Sequence, residues 1–232
     1  MNRRDILRNA AVGAAVGTAA TTTTAGLSTP ALAQGTIELR MVHSWPKGLP
    51  GAGTGAERLA RNIEEMSGGR LRIRVFAAGE LVPALRCMDA VMDGTADMGH
   101  DASFYHHGKH PAFSVFFAVP FGMTADEQAA WIYHSGGAQL WDELNARFGI
   151  VSFPAGQTAT QSFGWFKKEL NSMADFQGLK MRIPGLGGEL IKRVGGSAVL
   201  LPAGEIFAAL QSGAIDAGEF IGPLNDLALG FH

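Results

Sequence analysis

Strand-like and helix-like stretches alternate along most of this chain. Ile37 to His43 reads IELRMVH and alternates apolar and polar residues as a half-buried strand does. From Gly53 to Met66 the period changes to that of a helix: Leu59, Ile63 and Met66 share one face, and Gly68-Gly69 stops the element. Leu71, Ile73 and Val75, spaced by Arg72 and Arg74, make a second strand. A helix from Pro83 to Met92 comes next, closed by Gly94, and then a short strand from Ala96 to Gly99. The second half predicts strands at Gly149–Pro154, Ser162–Lys167, Leu179–Ile183, Ala198–Leu201 and Ile215–Phe220. Its helices are expected at Gly187–Val194 and Ala203–Ser212. Strand–helix–strand order implies βαβ units, hence an α/β fold with mixed, mainly parallel sheets.

The two halves also resemble each other. A shift of 119 positions lays Pro83 on Pro202, Ala84 on Ala203, Ala90 on Ala209, Gly94 on Gly213, Asp97 on Asp216 and Gly99 on Gly218. Two similar lobes with a cleft between them explain this, and such clefts hold small ligands. His100-Asp101 and Glu219-Phe220, which end the two copies, then point toward the cleft.

The first 33 residues have a different pattern. Arg3, Arg4 and Arg8 make a basic start, an uncharged Ala/Gly/Thr-rich stretch succeeds it, and Ala31-Leu32-Ala33 is an A-x-A cleavage pattern. The Arg3-Arg4 pair before Ile6-Leu7 resembles a twin-arginine export signal. Residues 1–33 are therefore expected to be a signal peptide, cleaved near Ala33 on export to the periplasm. Residues 34–154 and 155–232 are expected to form the first and second lobes. Beyond residue 33 there are 16 Lys+Arg and 20 Asp+Glu. A mildly acidic chain argues against nucleic acid, and an anionic ligand would need local positive groups. The single cysteine, Cys87, excludes an internal disulfide and falls on the apolar face of a helix.

Candidate chemistry is sparse. Arg182 ends the strand in GLKMRIPG, before a Gly-rich turn, where its planar fork can take a carboxylate in two parallel hydrogen bonds. Glu219 interrupts an apolar run, and a carboxylate there either pairs with a cation such as Arg182 or ligates a hard metal ion. Gln161 can offer an amide oxygen to the same ion. Tyr105 either gives a hydroxyl to a ligand or is a half-buried structural residue. His106, His107 and His110 read as solvated loop histidines, because no partner stands at a familiar zinc spacing. Gly51 to Gly55 (GAGTG) lacks the lysine of a P-loop and reads as a flexible helix entry whose free amides could face a ligand. No G-x-S-x-G elbow, P-loop or H-E-x-x-H run is present.

Several segments resemble the periplasmic solute-binding subunits of tripartite ATP-independent periplasmic (TRAP) transporters, the DctP-like family. They are MVHSWPKG, GELVPALRCMDAVMDGTADMGH, QSFGWFKKEL, the run from FQGLKMRIPG through LPAGEIFAALQSGAIDAGEFIGP, and NDLALGFH. The resemblance is strongest to the branch that binds 2-oxo monocarboxylates such as pyruvate. It implies a two-lobed periplasmic binding protein, not an enzyme, that delivers its ligand to integral-membrane subunits. It implies that Arg182 pairs with the ligand carboxylate. It implies that Gln161, Glu219 and the backbone of Phe220 hold a bridging Na⁺ or Ca²⁺, with Phe220 standing where relatives often carry Trp. It further implies a C-terminal continuation past His232, with another acidic cation ligand and a helix that forms a homodimer. The same receptor for lactate, a dicarboxylate or a sugar acid is the alternative. A cofactor-dependent periplasmic enzyme would need a cofactor motif, and the sequence shows none.

Overall fold

The computed structural model describes residues 35–232; the expected signal peptide, residues 1–33, lies outside the described residues. Strands β1 (Ile37–His43), β2 (Leu71–Phe76) and β3 (Met98–His100) form a parallel sheet in the order β2-β1-β3. Parallel neighbours need a crossover, and α1 (Ala52–Met66) and α2 (Cys87–Met92) supply the two. Because β1 is central, its last residues Met41, Val42 and His43 are all buried, so alternation holds only in its first half. Two helices, α3 (Ala125–His134) and α4 (Gly137–Ala146), come between the first sheet and the second.

The buried face of α1 is Gly53, Ala56 and Ala60, with Leu59 and Ile63 half-buried; Met66, expected on that face, is 80% exposed. Small residues are required because a Cβ at Gly53 would stand 2.7 Å from the Pro46 carbonyl oxygen. The amides here are not free for a ligand. Gly53 and Thr54 N–H both donate to the Leu49 carbonyl, and Gly51 N–H donates to Thr54 Oγ1. The reading of residues 51–55 as a ligand-facing entry is corrected accordingly.

The second sheet has the order β4-β7-β5-β6, from β4 (Trp165–Phe166), β5 (Lys180–Arg182), β6 (Ser197–Val199) and β7 (Ala217–Gly218). Only β4 runs antiparallel, against β7. The crossovers of this sheet are α5 (Gly185–Arg193) and α6 (Ala203–Ser212), and a short helix α7 (Pro223–Ala228) lies beyond β7.

The internal similarity of the sequence recurs in atomic detail. Pro83 and Pro202 each precede their helical turn with nearly identical backbone angles (φ −55°, ψ 144° and φ −56°, ψ 150°). Gly94 and Gly213 each turn the chain with a positive φ, at 78° and 77°, a conformation that favours glycine. Asp97 Oδ2 accepts from Arg40 N at 2.7 Å while Asp97 N donates to Arg40 O at 2.9 Å. Asp216 repeats this on Lys180, at 2.9 and 2.7 Å. Each aspartate thus pins the strand beside it at a defined register. Gly99 and Gly218 let the strand approach the helix before it: a Cβ would meet Val91 Cγ2 at 3.3 Å in one copy and Ile206 Cγ2 at 3.0 Å in the other.

The structure departs from the pattern in several places, among them the strands expected at Ser162–Lys167 and Ile215–Phe220, of which only Trp165–Phe166 and Ala217–Gly218 pair. The helix expected at Pro83–Met92 is a 3₁₀ turn (Ala84–Arg86) and then α2, because Leu85 and Arg86 leave helical angles. Gly149–Pro154 is not a strand: it finds no ladder partner among the described residues, and Phe153 is 79% exposed. Helices α3, α4 and α7 form where the periodicity predicts none. A reciprocal cap starts α3, with Glu127 Oε2 accepting from Thr124 N at 2.8 Å and Thr124 Oγ1 accepting from Glu127 N at 3.4 Å.

One core cluster joins residues just beyond the first sheet's strands to α6 and the chain around and beyond β7: Trp45, Leu49, Ala102 and Phe104 pack with Ala203, Ile206, Ile215, Phe220 and Phe231. Ile206 is fully buried within it. Replacement Ile206→Ala is expected to cost about 2–5 kcal/mol of unfolding free energy, read as a lower midpoint in urea at unchanged slope; an unchanged midpoint would remove Ile206 from the core.

Candidate functional site

The second sheet brings an arginine and a glutamate together out of water. Arg182 is the last residue of β5, which lies between β7 and β6, so its side chain leaves the centre of the sheet. It is 1% exposed. Its Nε donates to the Leu201 carbonyl at 3.1 Å and its Nη1 to the Glu219 carbonyl. Nη1 also lies 3.5 Å from Glu219 Oε2, long for a charge-assisted hydrogen bond. The Phe220 ring lies 5.7 Å from the guanidinium carbon, within cation–π range.

Two buried polar atoms are left over, one on each side chain. Arg182 Nη2 and Glu219 Oε1 have no hydrogen-bond partner. Buried polar atoms in native proteins almost always have one. Glu219 is 5% exposed, and burial pushes its carboxyl up to about 8; Arg182 pulls it down, and the charge of Asp226 pushes it further up.

Gln161 and Phe220 meet at the same place. Gln161 Nε2 donates to the Phe220 carbonyl at 3.1 Å, and the next residue, Ser162, donates its N–H to the Ile221 carbonyl at 3.0 Å. The chain is therefore zipped just beyond the end of β7, beside Glu219. Tyr105 stacks edge-on against Phe104, with ring centroids 4.8 Å apart. Burial raises its phenol above the ordinary value, and the Arg182 charge acts the other way. All five residues singled out in the sequence, Arg182, Glu219, Gln161, Phe220 and Tyr105, thus belong to one region.

Sequence reasoning missed Trp45, Trp165 and Asp226. Trp45 packs edge-on against His100 at 5.1 Å and belongs to the core cluster with Phe220. Asp226 is 1% exposed; its Oδ2 accepts from the Trp165 indole at 2.9 Å and its Oδ1 from Ile221 N and Gly222 N, both at 3.2 Å. Pro223 at the start of a short helix with an acid in its first turn was the available signal.

The histidines correct the expectation of solvated loops. His106 is buried and its Nε2 is 2.7 Å from Asp101 Oδ2, so Asp101 is engaged there rather than in the site. His107 Nδ1 is 2.8 Å from Ser114 Oγ, and His110 Nδ1 accepts from Ala112 N at 3.2 Å. Cys87 lies buried as expected, its thiol pushed up to about 12 by burial and the Asp101 charge. Among the described residues no three His, Cys, Asp or Glu side chains gather as a metal cluster. A cation at this site would instead use one carboxylate, an amide oxygen and a backbone carbonyl, a donor set for a hard ion.

Comparison with known proteins fits this geometry. Residues 41–232 match the DctP family, described as bacterial extracellular solute-binding protein, family 7, and the chain belongs to that family. A protein of Nostoc sp. described as a monocarboxylate 2-oxoacid-binding periplasmic protein is 46% identical over all 232 residues. The crystal structure of a TRAP periplasmic solute-binding protein from Pseudoalteromonas atlantica, with bound sodium and pyruvate, matches with a TM-score of 0.83 and 44% identity over 85% of this chain. One from Colwellia psychrerythraea, with bound calcium and pyruvate, matches at 0.82 and 43% over 85%. The chain spans 64% of the Nostoc protein and 60% of each of these two structures. The fold is thus the two-lobed binding-protein fold of TRAP receptors, and the family is one of binders, not catalysts.

The Glu219 carboxyl has a consequence for stability. Its folded value lies above the ordinary 4.5, so between about pH 4.5 and 8 the folded chain holds a proton that the unfolded chain has lost. Its contribution is complete below pH 4.5 and is lost as pH rises through 8. In buffer free of metal cations, the thermal midpoint is expected to fall from about pH 5 to about pH 8.5, by the equivalent of a few kcal/mol. Glu219→Gln should flatten that fall; the same slope in both proteins would show that Glu219 does not titrate in this window.

Proposed function

We propose that this chain is the ligand-binding part of a periplasmic TRAP receptor that takes a 2-oxo monocarboxylate, such as pyruvate, together with a bridging Na⁺ or Ca²⁺. The observation that carries the reading is the pair of unpartnered buried atoms, Arg182 Nη2 and Glu219 Oε1. One asks for an anion and the other for a cation, in the same site. A carboxylate with an adjacent keto oxygen meets both needs, because its two oxygens chelate a metal ion while the carboxylate faces the guanidinium. The cation would be held by Glu219 Oε1, the Phe220 carbonyl and the Gln161 amide. Gln161 now turns its nitrogen to Phe220 O, and rotation of the amide presents its oxygen instead. The cation supplies charge: it offsets the carboxylates of Glu219 and the ligand, and no bond is made or broken. Tyr105 would give its hydroxyl to a ligand oxygen.

The description of the Nostoc relative and the pyruvate, sodium and calcium in the two solved relatives support this ligand class. Export through residues 1–33, lobes divided near residue 154, delivery to membrane subunits and a homodimer in the whole protein complete the reading. Lobe closure would bring ligand contacts together by hinge motion.

Thermal shift with pyruvate, 2-oxobutyrate, lactate and succinate, each with and without Na⁺ or Ca²⁺, tests it. A 2-oxo acid with a cation at about 100 times its dissociation constant should raise stability by roughly 2.7 kcal/mol, and either component alone by much less. A larger shift with lactate or succinate would change the ligand; no shift with any carboxylate would sink the receptor reading. Arg182→Ala is expected to abolish the carboxylate response, measured by calorimetry, and unchanged affinity would take Arg182 out of the site.

A further inference from the structure

Asp226 is buried and aims its carboxylate at two segments that approach from different parts of the chain. Oδ2 takes the indole N–H of Trp165 on β4, and Oδ1 takes the amides of Ile221 and Gly222, directly after the site residues Glu219 and Phe220. Its own N–H donates to the Gly222 carbonyl at 2.9 Å, and Phe231 N donates to its carbonyl at 3.0 Å. The neighbouring Asn225 reaches the Pro50 carbonyl at 2.6 Å, in the loop beyond Trp45. The first turn of α7 is thus a knot to which four segments are tied. A buried carboxylate is costly unless it is used, and here three donors use it.

We propose that Asp226 is a positioning residue of the binding site: it locks the turn after β7 onto Trp165, and so fixes the Phe220 carbonyl against the Gln161 amide. That these two groups receive a ligand rests on the proposed receptor function; that Asp226 places them does not. β4 and β7 share only two ladder positions, Trp165 opposite Gly218 and Phe166 opposite Ala217. Beyond Gly218 the ladder ends; Arg182 holds Glu219 through both its carbonyl and its guanidinium, and Gln161, Ser162 and Asp226 hold the residues after it. Asparagine at 226 keeps an oxygen for the two backbone amides but can present an amide nitrogen, which cannot accept, to Trp165.

The test compares the full chain with Asp226→Asn, Trp165→Phe and the double variant. In the ligand-free protein, the side-chain amide signals of Gln161 and the indole signal of Trp165 are followed by ¹⁵N NMR. Both are expected to move in Asp226→Asn, and Gln161 is expected to move in Trp165→Phe. The dissociation constant for pyruvate with Na⁺ should rise about tenfold in either single variant, a charge-assisted bond being lost, and no further in the double. Additive losses, or a Gln161 signal that stays in place in Asp226→Asn, would overturn the proposal. If the unmodified chain binds no pyruvate, the receptor reading fails, and Asp226 is still judged on the Gln161 signal. A variant that merely loosens the fold would lower the melting temperature without moving Gln161.

Discussion

A guanidinium and a carboxylate that share a buried space without fully satisfying each other set the terms for the rest of the second sheet. Taking both from water as ions costs several kcal/mol each, and the attraction between them offsets this only when geometry is good and the remaining donors and acceptors are used; burial accordingly pushes the Glu219 carboxyl up to about 8. Arg182 and Glu219 approach to 3.5 Å through one nitrogen and one oxygen, and each keeps an atom without a partner. The structure holds them there by other means. Backbone carbonyls of Leu201 and Glu219 fix the arginine, the ladder fixes β5, and Asp226 fixes the turn beyond Glu219. This pair is held slightly open by its surroundings, with one donor and one acceptor unmet.

The repeated unit was the most legible part of the fold, because its residues do jobs that few others can. Proline opens the helical turn, glycine takes a positive φ, aspartate caps the neighbouring strand, and a second glycine admits the helix; all four roles reappear 119 residues later. The stretch from residue 121 to 148 gave no comparable periodic signal. There α3 and α4 pack through aromatic side chains: Phe116 stacks between Trp131 and Trp141 at 5.6 and 5.4 Å, and Phe116 itself lies outside the helices it joins. Gly149–Pro154 has a strand's composition, but composition does not supply a neighbour to pair with. Residues 1–33, where the export signal is read, lie outside the described residues.

The site was legible to a similar degree. Charged residues that interrupt apolar runs, Arg182 and Glu219, announced themselves because such interruptions are costly. Gln161 was offered as an amide oxygen for the same ion, but the Phe220 carbonyl depended on resemblance, since no spacing relates residues 59 positions apart that meet across a turn. Asp226 escaped because an acid in the first turn of a helix usually serves that helix. Here it reaches across to an indole and to the backbone before it, and only the folded chain brings those groups together.

The brevity of β7 has a further meaning. Its ladder stops at Gly218, so the next three carbonyls leave the sheet and are met by Arg182, Gln161 and Ser162 instead. The polar contact at position 220 therefore resides in the main chain, which every substitution except one that bends the backbone preserves. The side chain there is released to vary in size and shape. A lineage of such proteins can reshape the apolar surroundings of Arg182 at this position while keeping the carbonyl it began with.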